Sequence, residues 1–428
     1  MQTQPVALTE AGMALCMVCI FLVPLAAAGL ALIHTGFGRG RSASHSLLSA
    51  LCVFAVAVLA CLLVGFSLQG YAGGPARLLS FGGRSWNLLG SASPLMRGGI
   101  FNSPTLSLVA CLQMFSVGIA AMIPLGAGSD RWRLRASCAS TALLAGITFP
   151  IFAHWVWGGG WLAQLGGLAS CGNGAIDAGG AGVIQAVGGL TALSITWILG
   201  PRLGKYEDMG LAIPGHNMPY VLFGCLLSLI GWMGLDSAAA MLFAGAPVTG
   251  IPLIAVNNLV AASAALLAAV AVTRLRYGKP DASIAANGFV IGLVAISAAC
   301  FLVSPAIAAA IGLAAGLAVP FSVEWLDRLG CDDPSGSVSV HAVGGLWGVL
   351  AAGLFVHPRP GQWMAQAAMI SALLGFVLPL SYGLNWLLNR FYPQRIGPTG
   401  EQQGLDMSEL GAGAYPELAQ VSRDYLSR

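Results

Sequence analysis

The stretch Asp177-Ala-Gly-Gly-Ala-Gly-Val-Ile-Gln-Ala-Val-Gly-Gly-Leu190 has a counterpart later in the chain, Asp333-Pro-Ser-Gly-Ser-Val-Ser-Val-His-Ala-Val-Gly-Gly-Leu346. Each stretch begins with an aspartate and reaches Ala-Val-Gly-Gly-Leu nine residues later. Each also opens an apolar run long enough to cross a membrane, and these are the fifth and tenth such runs. Because spans five apart run in opposite directions, the repetition predicts an inverted repeat of two five-helix halves.

The composition around these stretches is that of a membrane protein. Of 428 residues, 57% are hydrophobic and 8% are charged, whereas soluble chains have roughly 25% charged residues. Apolar runs of about 20 residues, each able to cross ~30 Å of hydrocarbon as a helix, recur along the sequence. We count eleven, at about 11–34, 45–68, 104–127, 136–157, 177–199, 217–236, 250–273, 282–302, 304–325, 335–356 and 364–388. The sequence therefore predicts an all-α polytopic membrane protein with eleven transmembrane helices, the eleventh outside the repeat.

The chain is expected to contain one membrane domain and a tail. The first ten residues have no Lys or Arg and lead directly into a full-length span, so we interpret residues 1–35 as mature structure and not as a signal peptide. Residues 1–390 then form the membrane domain, with inverted repeats at about 11–199 and 217–356. Residues 391–428 are polar and short, which suits a cytoplasmic docking tail.

Basic residues are concentrated in alternate connections between the predicted spans. On one side they are Arg39, Arg41, Arg131, Arg133, Arg135, Arg202, Lys205, Arg274, Arg276, Lys279 and Arg328, followed by those of the tail. The opposite loops hold Arg77, Arg84, Arg97 and Arg359. By the positive-inside rule the N-terminus is outside and, after an odd number of spans, the C-terminus is cytoplasmic.

Other classes of function have little support in the sequence. The basic residues are distributed along the loops and are not clustered as a nucleic-acid surface. Most of the ten cysteines lie inside predicted spans, where a small apolar residue needs no redox or metal role. Because no nucleophile, metal cluster or phosphate loop stands out, we expect neither an enzyme nor a bound cofactor.

Gln185 and His341 occupy the same position in the two repeated stretches. Eight helical residues advance about 12 Å, so Gln185 descends from the outer face while His341 rises from the inner one. Both side chains are therefore expected near mid-membrane, where polar groups are costly and by default mark a transport path or a proton relay. The alternative is a hydrogen bond between helices without a transport role.

Two tryptophans and a carboxylate are expected above this pair. Trp157 and Trp232 lie at the predicted outer ends of neighbouring spans, and an aromatic face attracts a small cation. Tryptophans at that depth also serve as lipid anchors, which is the alternative for either residue alone. Asp177 and its counterpart Asp333 add negative charge that attracts a cation. For Asp177 we favour capping of its own helix N-terminus over direct ligation.

Together these segments resemble the ammonium transporter and Rhesus protein family over nearly the whole chain. The most specific matches are His341-Ala-Val-Gly-Gly-Leu-Trp-Gly-Val-Leu350, Val156-Trp-Gly-Gly-Gly160 and Pro214-Gly-His-Asn-Met-Pro219. The resemblance implies eleven helices per subunit, a homotrimer with one pore in each subunit, and ammonium or ammonia as the substrate. In bacterial members a PII-type signalling protein can dock on the cytoplasmic face. The expected location is the bacterial cytoplasmic (inner) membrane.

Four functional positions match the family pattern. Trp157 matches its external recruitment tryptophan, and Trp232 matches a pore-lining tryptophan. Asp177 matches its buried aspartate, and His341 matches the second of its two pore histidines. The resemblance therefore implies that this chain keeps the outer aromatic site and half of the histidine pair.

Four other positions depart from the pattern. Gln185 stands where the first pore histidine is expected. Leu235 replaces one gating phenylalanine, and Ser116 takes the place of the other, with Phe115 beside it. Ala239 replaces a serine that helps to bind the cation. These departures widen or reshape the expected gate and remove one hydrogen-bond acceptor from the outer site.

The glutamine has the largest expected consequence for mechanism. In the family, ammonium gives up its proton, and ammonia and the proton pass the paired histidines. Two imidazoles can relay a proton because each titrates near neutrality, whereas an amide has no accessible protonation cycle. We therefore predict a weakened or altered relay. Asp236, where the family usually has asparagine, is expected to add compensating negative charge near the outer site.

Two hypotheses of function remain open. The first is a transporter or channel for ammonium or ammonia that uses Trp157, Trp232 and His341. The second is a sensor or receptor of the same fold that binds ammonium and passes little of it. A signalling domain downstream of the tail would favour the second.

Overall fold

The computed structural model describes residues 7–97, 103–206, 213–356 and 360–415. In this part of the chain ten helices are long and apolar enough to cross a membrane, and an eleventh apolar helix is shorter. In chain order they are α1 (Glu10–Phe37), α2 (Gly40–Gln69), α3 (Pro104–Ala127), α4 (Leu134–Val156), α5 (Ala181–Leu199), α6 (Met218–Phe243), α7 (Val248–Tyr277), α8 (Ala282–Ser297), α9 (Pro305–Arg328), α10 (Val338–Phe355) and α11 (Gln362–Phe391). The short helix is α8.

Capping side chains define where several of these helices begin. Thr9, Ser103, Asn217, Asp281 and Ser304 each stand at an N-cap and accept a hydrogen bond from a backbone N–H of the first turn. The first N–H groups of a helix have no partner within it, so such a cap satisfies a donor that lipid could not. The cap positions therefore fix the helix starts more sharply than hydropathy does.

Small residues allow α1 and α6 to pack with their backbones in near contact. A Cβ added at Gly29 would collide with Ser228 and with the carbonyl oxygen of Gly224, and one at Gly231 would collide with Ala26. As the contact moves forward along α1 it moves backward along α6, so the two helices are antiparallel. Small residues at such crossings permit the close packing that holds helices together in lipid.

The repeated stretches meet each other where α5 crosses α10. A side chain at Gly189 would collide with the backbone of Ala342, and one at Gly345 would press against the backbone of Ala186. Gly189 and Gly345 are equivalent in the two stretches, as are Ala186 and Ala342. Reciprocal contacts of this kind are what a two-fold relation between the halves produces.

Helix α8 ends earlier than the sequence predicted. The predicted span was 282–302, but α8 ends at Ser297. The carbonyl oxygen of Ser297 accepts a hydrogen bond from the N–H of Gly179 at 2.8 Å, and that of Cys300 accepts one from Asn257 at 2.8 Å. Both carbonyl groups are therefore satisfied, as backbone at this depth requires, and the bond to Ser297 also holds the segment that precedes α5.

A β-hairpin covers the end of α4. Strand β1 (Ala76–Phe81) pairs antiparallel with β2 (Arg84–Gly90) around the turn Gly82-Gly83, whose φ angles are +62° and +72°. Two positive φ angles favour glycine in a two-residue hairpin turn. The Asn87 side chain binds His154 Nε2 of α4 at 2.8 Å. We call this end of the bundle the hairpin side.

The C-terminal segment supplies N-caps to two helices at the other end of the bundle. The Asp406 carboxylate accepts hydrogen bonds from the N–H groups of Ser44 and His45, at 3.2 and 2.7 Å, at the start of the long part of α2. Glu409 accepts one from the N–H of Leu134 at 2.8 Å, where α4 begins. Burial would raise the pKa of Glu409, but its bonds with His45 and Leu134 hold that pKa below the usual range. We call this end the tail side.

Removing the Asp406 cap should loosen the C-terminal segment. Loss of an N-cap carboxylate costs about 1 kcal/mol, so Asp406→Ala is expected to raise the rate of limited proteolysis of residues 394–415 about fivefold. Met407→Ala is the matched control, because Met407 is 47% exposed. Equal cleavage rates in the two variants would contradict the capping role.

A buried group of charges also joins the connections on the tail side. Arg202 binds both carboxylate oxygens of Asp332, at 2.9 and 3.0 Å, and also binds Asp130 at 3.2 Å. Arg131 donates to the backbone oxygen of Asp332 at 2.7 Å. All four residues are at most 4% exposed. We call Asp130, Arg131, Arg202 and Asp332 the charge cluster, and it links the loops that follow α3, α5 and α9.

Candidate functional site

The aspartates that open the repeated stretches cap α5 and α10. Asp177 accepts hydrogen bonds from three backbone N–H groups, those of Gly180, Gly182 and Val183, at 2.8–3.1 Å. Asp333 accepts them from Ser337 and Val338 at 3.0 and 2.7 Å. Both carboxylates thus bind the free N–H groups at a helix N-terminus, where negative charge is favoured. For Asp177 this geometry is the capping arrangement preferred over direct ligation.

The first turns of α5 and α10 are π-helical and contain the central pair of side chains. These turns are Ala181–Ala186 and Val338–Val343, and π-helical turns inside helices often occur at functional sites. Gln185 Oε1 lies 2.8 Å from His341 Nδ1, and both residues are at most 2% exposed. The structure thus brings together the two side chains that the repeat aligned.

This hydrogen bond selects one form of the histidine. The amide oxygen of Gln185 accepts, so Nδ1 of His341 carries the proton and Nε2 is the basic nitrogen. The amide nitrogen of Gln185 is buried and has no hydrogen-bond partner among the described residues. Such a donor is available to a neutral guest that accepts a hydrogen bond.

Trp232 packs on His341 and is held in place by a hydrogen bond to Ser297. The two rings are stacked with centroids 6.5 Å apart and an interplanar angle of 24°. Trp232 Nε1 donates to the Ser297 hydroxyl at 3.1 Å, and that hydroxyl donates to Asp236 Oδ2 at 3.2 Å. Asp236 is fully buried. The structure therefore places Asp236 behind Trp232, in a chain of contacts that fixes the ring against His341.

Trp157 lies nearer the hairpin side and is also enclosed. Its ring stacks on Phe243 of α6, with centroids 4.4 Å apart and an angle of 13°, and its Nε1 donates to the backbone oxygen of Asp177 at 2.7 Å. Trp157 and Trp232 are 3% and 0% exposed. Both indole rings therefore lie inside the bundle and not on its outer surface. One face of Trp157 is occupied by Phe243, which the sequence did not indicate.

The expected gate positions hold small or displaced side chains. Phe115 is half-buried and packs on Phe54 of α2, with ring centroids 5.8 Å apart. Ser116 is fully buried, and its hydroxyl has no partner among the described residues. Leu235 and Ala239 are also fully buried. The structure thus places Phe115 against α2 and leaves a buried hydroxyl at Ser116.

Three residues of this region were not identified from the sequence. Phe243 and Ser297 contact the two tryptophans, and His34 of α1 lines a cavity on the tail side together with His341. His34 could have been flagged, because an ionisable residue inside an apolar run is by default a candidate functional residue. Phe243 and Ser297 had no such signal, since they are ordinary residues of membrane helices.

The fold and the site together define the class. Among the described residues ten apolar helices have membrane-spanning length, and the bundle buries a column of side chains, Trp157, Trp232, His341 and Gln185, so this is a multi-pass helical membrane protein.

The chain belongs to the ammonium transporter family, whose model, described as Ammonium Transporter Family, matches residues 14–415. It is 33% identical to the ammonium transporter Amt2 of Archaeoglobus fulgidus, over 94% of this chain and 87% of that protein. It is 28% identical to the ammonium transporter of Bacillus subtilis, over 93% and 97% of the two chains. A solved structure named "Sensor Amt Protein" superposes with a TM-score of 0.83 at 26% identity, covering 93% of this chain and 97% of that one.

Proposed function

We propose that this protein moves ammonium or ammonia across the membrane along the column from Trp157 to His341. The observation that carries the proposal is the buried contact of Trp232, His341 and Gln185 at the crossing of α5 and α10. Polar side chains at this depth are expensive unless they serve a path. The aromatic faces suit a small cation, and Nε2 of His341 suits the proton that ammonium loses.

The altered pore is part of the proposal. The Gln185 amide orients His341 and offers a donor to ammonia, but it does not take up a proton. Ser116, Leu235 and Ala239 leave the gate without its two phenyl rings and the outer site without a serine hydroxyl. We expect the outer site to bind the cation more weakly than a pore that has all of these groups.

The proposed topology has eleven spans, with α8 as the eighth and two inverted halves followed by α11. The antiparallel crossing of α1 with α6 and the reciprocal contacts of α5 with α10 support the inverted repeat. The loop charges support a topology with the hairpin side outside and the tail side in the cytoplasm. Residues 391–428 are then a cytoplasmic tail attached to a membrane domain at 1–390.

Membership of the family supports a proposed assembly and location. We expect a homotrimer with one pore per subunit in the bacterial cytoplasmic membrane, and a PII-type protein as a partner on the tail side. Large apolar side chains on the outer faces of the helices, such as Phe21, Leu51, Leu267 and Phe321, are more than half exposed. Such faces suit lipid or a neighbouring subunit.

A second candidate is a sensor of the same fold. The similarity to the structure named "Sensor Amt Protein" favours it, and so does the absence of an imidazole at Gln185. A sensor would bind ammonium at the column without passing it at an appreciable rate. It would then signal through the tail side or through a downstream domain.

Proteoliposomes separate the two candidates. An ammonium step should give a current in the wild type, and His341→Ala should reduce it about tenfold or more because the relay loses its base. Gln185→His should pass at least as much current as the wild type, since it adds an imidazole to the column. Current is measured on a solid-supported membrane, and ammonium entry is measured with a lumenal enzyme assay.

The control is His154→Gln, because His154 is a buried histidine that binds Asn87 near the hairpin and lies outside the column. It should retain most of the wild-type current. Saturable ammonium binding without current or ammonium entry in the wild type would refute transport and favour the sensor. Equal currents in the wild type and in His341→Ala would refute the assigned path.

A further inference from the structure

A second histidine faces the tail-side end of the column. A small cavity there is lined by His34, Asn287, Ser335, Ser337 and His341, together with four aliphatic side chains. The cavity has room for about one water molecule. It is bordered by polar groups from α1, α8, α10 and the loop before α10, so a water molecule there would have several partners.

His34 has an unused nitrogen in this position. Its Nδ1 is buried and has no hydrogen-bond partner among the described residues, and the residue is 4% exposed. The Gly126 backbone of α3 packs so closely that an added Cβ would collide with the Ser335 and Ser337 hydroxyls and with the His34 ring. The imidazole is therefore held beside the two hydroxyls. A buried unpaired nitrogen is costly, and a water or proton in the cavity would satisfy it.

We propose that His34 is the second imidazole of the proton relay, on the opposite side of His341 from Gln185. This inference rests on the proposed function. The position aligned with His341 in the repeat is an amide, so the partner with a protonation cycle comes from α1. The proton therefore moves from His341 toward the tail side, and the Gln185 amide only orients the ring.

The steps balance as simple proton transfers. Ammonium gives one proton to Nε2 of His341, which becomes an imidazolium, and neutral ammonia moves on. A cavity water takes that proton from Nε2 and gives one of its own to Nδ1 of His34. His34 then releases a proton to water on the tail side, where ammonia takes one up. Both imidazoles end neutral, and one ammonium ion has crossed.

The other charged and imidazole side chains near these helices are engaged elsewhere. Helix α1 packs on α2, α3 and α6. His45 of α2 binds Glu409, and Asp236 of α6 accepts a hydrogen bond from Ser297. Helix α3 contains Cys111 and no charged residue. On the tail side Asp130 belongs to the charge cluster, and Asp333 caps α10. His34 and His341 are thus the two titratable side chains among the residues that line the cavity.

The test uses the full chain in proteoliposomes, with current and lumenal ammonium measured together after an ammonium step. His34→Gln should lower the current about tenfold or more, because an amide cannot accept the proton. His216→Gln is the matched control: His216 lies on the tail side and binds Gly38 and Tyr415, so its current should stay within about twofold of wild type. The double variant His34→Gln/Gln185→His should regain most of the current, because two imidazoles again adjoin.

Recovery in the double variant distinguishes a relay from a structural role, since a packing defect at α1 would not be repaired from α5. A His34→Gln current within twofold of wild type would overturn the proposal and leave transport intact. Failure of the double variant to recover would also overturn it. If His34→Gln does not fold, His34→Asn takes its place with the same expectations. A wild type that passes neither current nor ammonium would refute the proposed transport itself.

Discussion

Asp332→Ala is expected to destabilise the protein by about 3–5 kcal/mol. The substitution leaves the Arg202 guanidinium buried without its two-bonded carboxylate, and it also removes the charge 3.7 Å from Arg131. Arg131 is fully buried and Arg202 is 4% exposed, so neither cation can recover hydration. The change should appear as a large drop in the thermal unfolding midpoint of purified protein, followed by tryptophan fluorescence.

Two variants make this expectation specific. Asp327→Ala removes a carboxylate that is paired with Lys205 at 2.7 Å but is 46% exposed, so it should cost no more than about 1 kcal/mol. The double variant Asp332→Leu/Arg202→Met removes one charge of each sign and should be more stable than Asp332→Ala. An equal effect of Asp327→Ala and Asp332→Ala would contradict the role of the charge cluster.

The cluster also gives the protein a sensitivity to acid. Burial would raise the pKa of Asp332, but hydrogen bonds and charge from Arg202 and Arg131 lower it below the usual carboxyl range. A lowered carboxyl pKa contributes stability that is complete above the unfolded value, about 4, and is lost as the pH falls through the folded value. The thermal midpoint of the wild type should therefore fall below about pH 4 more steeply than that of Asp332→Asn.

Gly189→Ala is expected to lose about 3 kcal/mol of stability and most of the transport current. A Cβ at this position would meet the backbone of Ala342 and His341, which cannot move aside as the end of a side chain can. The helices α5 and α10 must then separate, and the 2.8 Å bond between Gln185 and His341 breaks. Gly345→Ala should behave in the same way, because it occupies the equivalent position.

Gly383→Ala is the matched control for this substitution. Gly383 lies within α11, and an added Cβ there meets nothing within 4 Å. Alanine favours a helix interior over glycine by about 1 kcal/mol, so this variant should be neutral or slightly more stable. The unfolding midpoint and the ammonium current are measured for all three variants. Similar midpoints for Gly189→Ala and Gly383→Ala would show that the crossing tolerates a methyl group and would refute the prediction.

Much of the fold was predictable because membrane helices are recognised from the hydropathy of contiguous residues. The start of α3 at Pro104 and the end of α5 at Leu199 match the predicted spans. Two helix ends differ more: α6 continues to Phe243, past the predicted end at about 236, and α8 ends at Ser297 and not at about 302. The sequence stays apolar beyond Ser297, but the helix ends where the carbonyl groups of Ser297 and Cys300 bind Gly179 and Asn257. Gly179 and Asn257 are distant in the chain, so the hydropathy of this segment does not predict their contacts with it.

The candidate site was also predicted only in part from the sequence. The repeat aligned Gln185 with His341, and the two side chains are hydrogen-bonded in the structure. The repeat did not indicate that Trp232 stacks on His341 or that Asp236 stands behind it. Those contacts depend on how each helix is rotated about its axis, which packing against several neighbours decides.

The sequence alone thus determined the membrane class, the approximate spans and the aligned pair in the repeated stretches, because length, hydropathy and repetition are properties of contiguous residues. Only the tertiary structure decided which polar groups meet across helices: His34 with His341 around one cavity, Arg202 with Asp332, and Asp406 with the start of α2. The reason is physical. In lipid and in a packed interior a polar group without a partner is costly, and its partner is chosen by proximity in space and not along the chain.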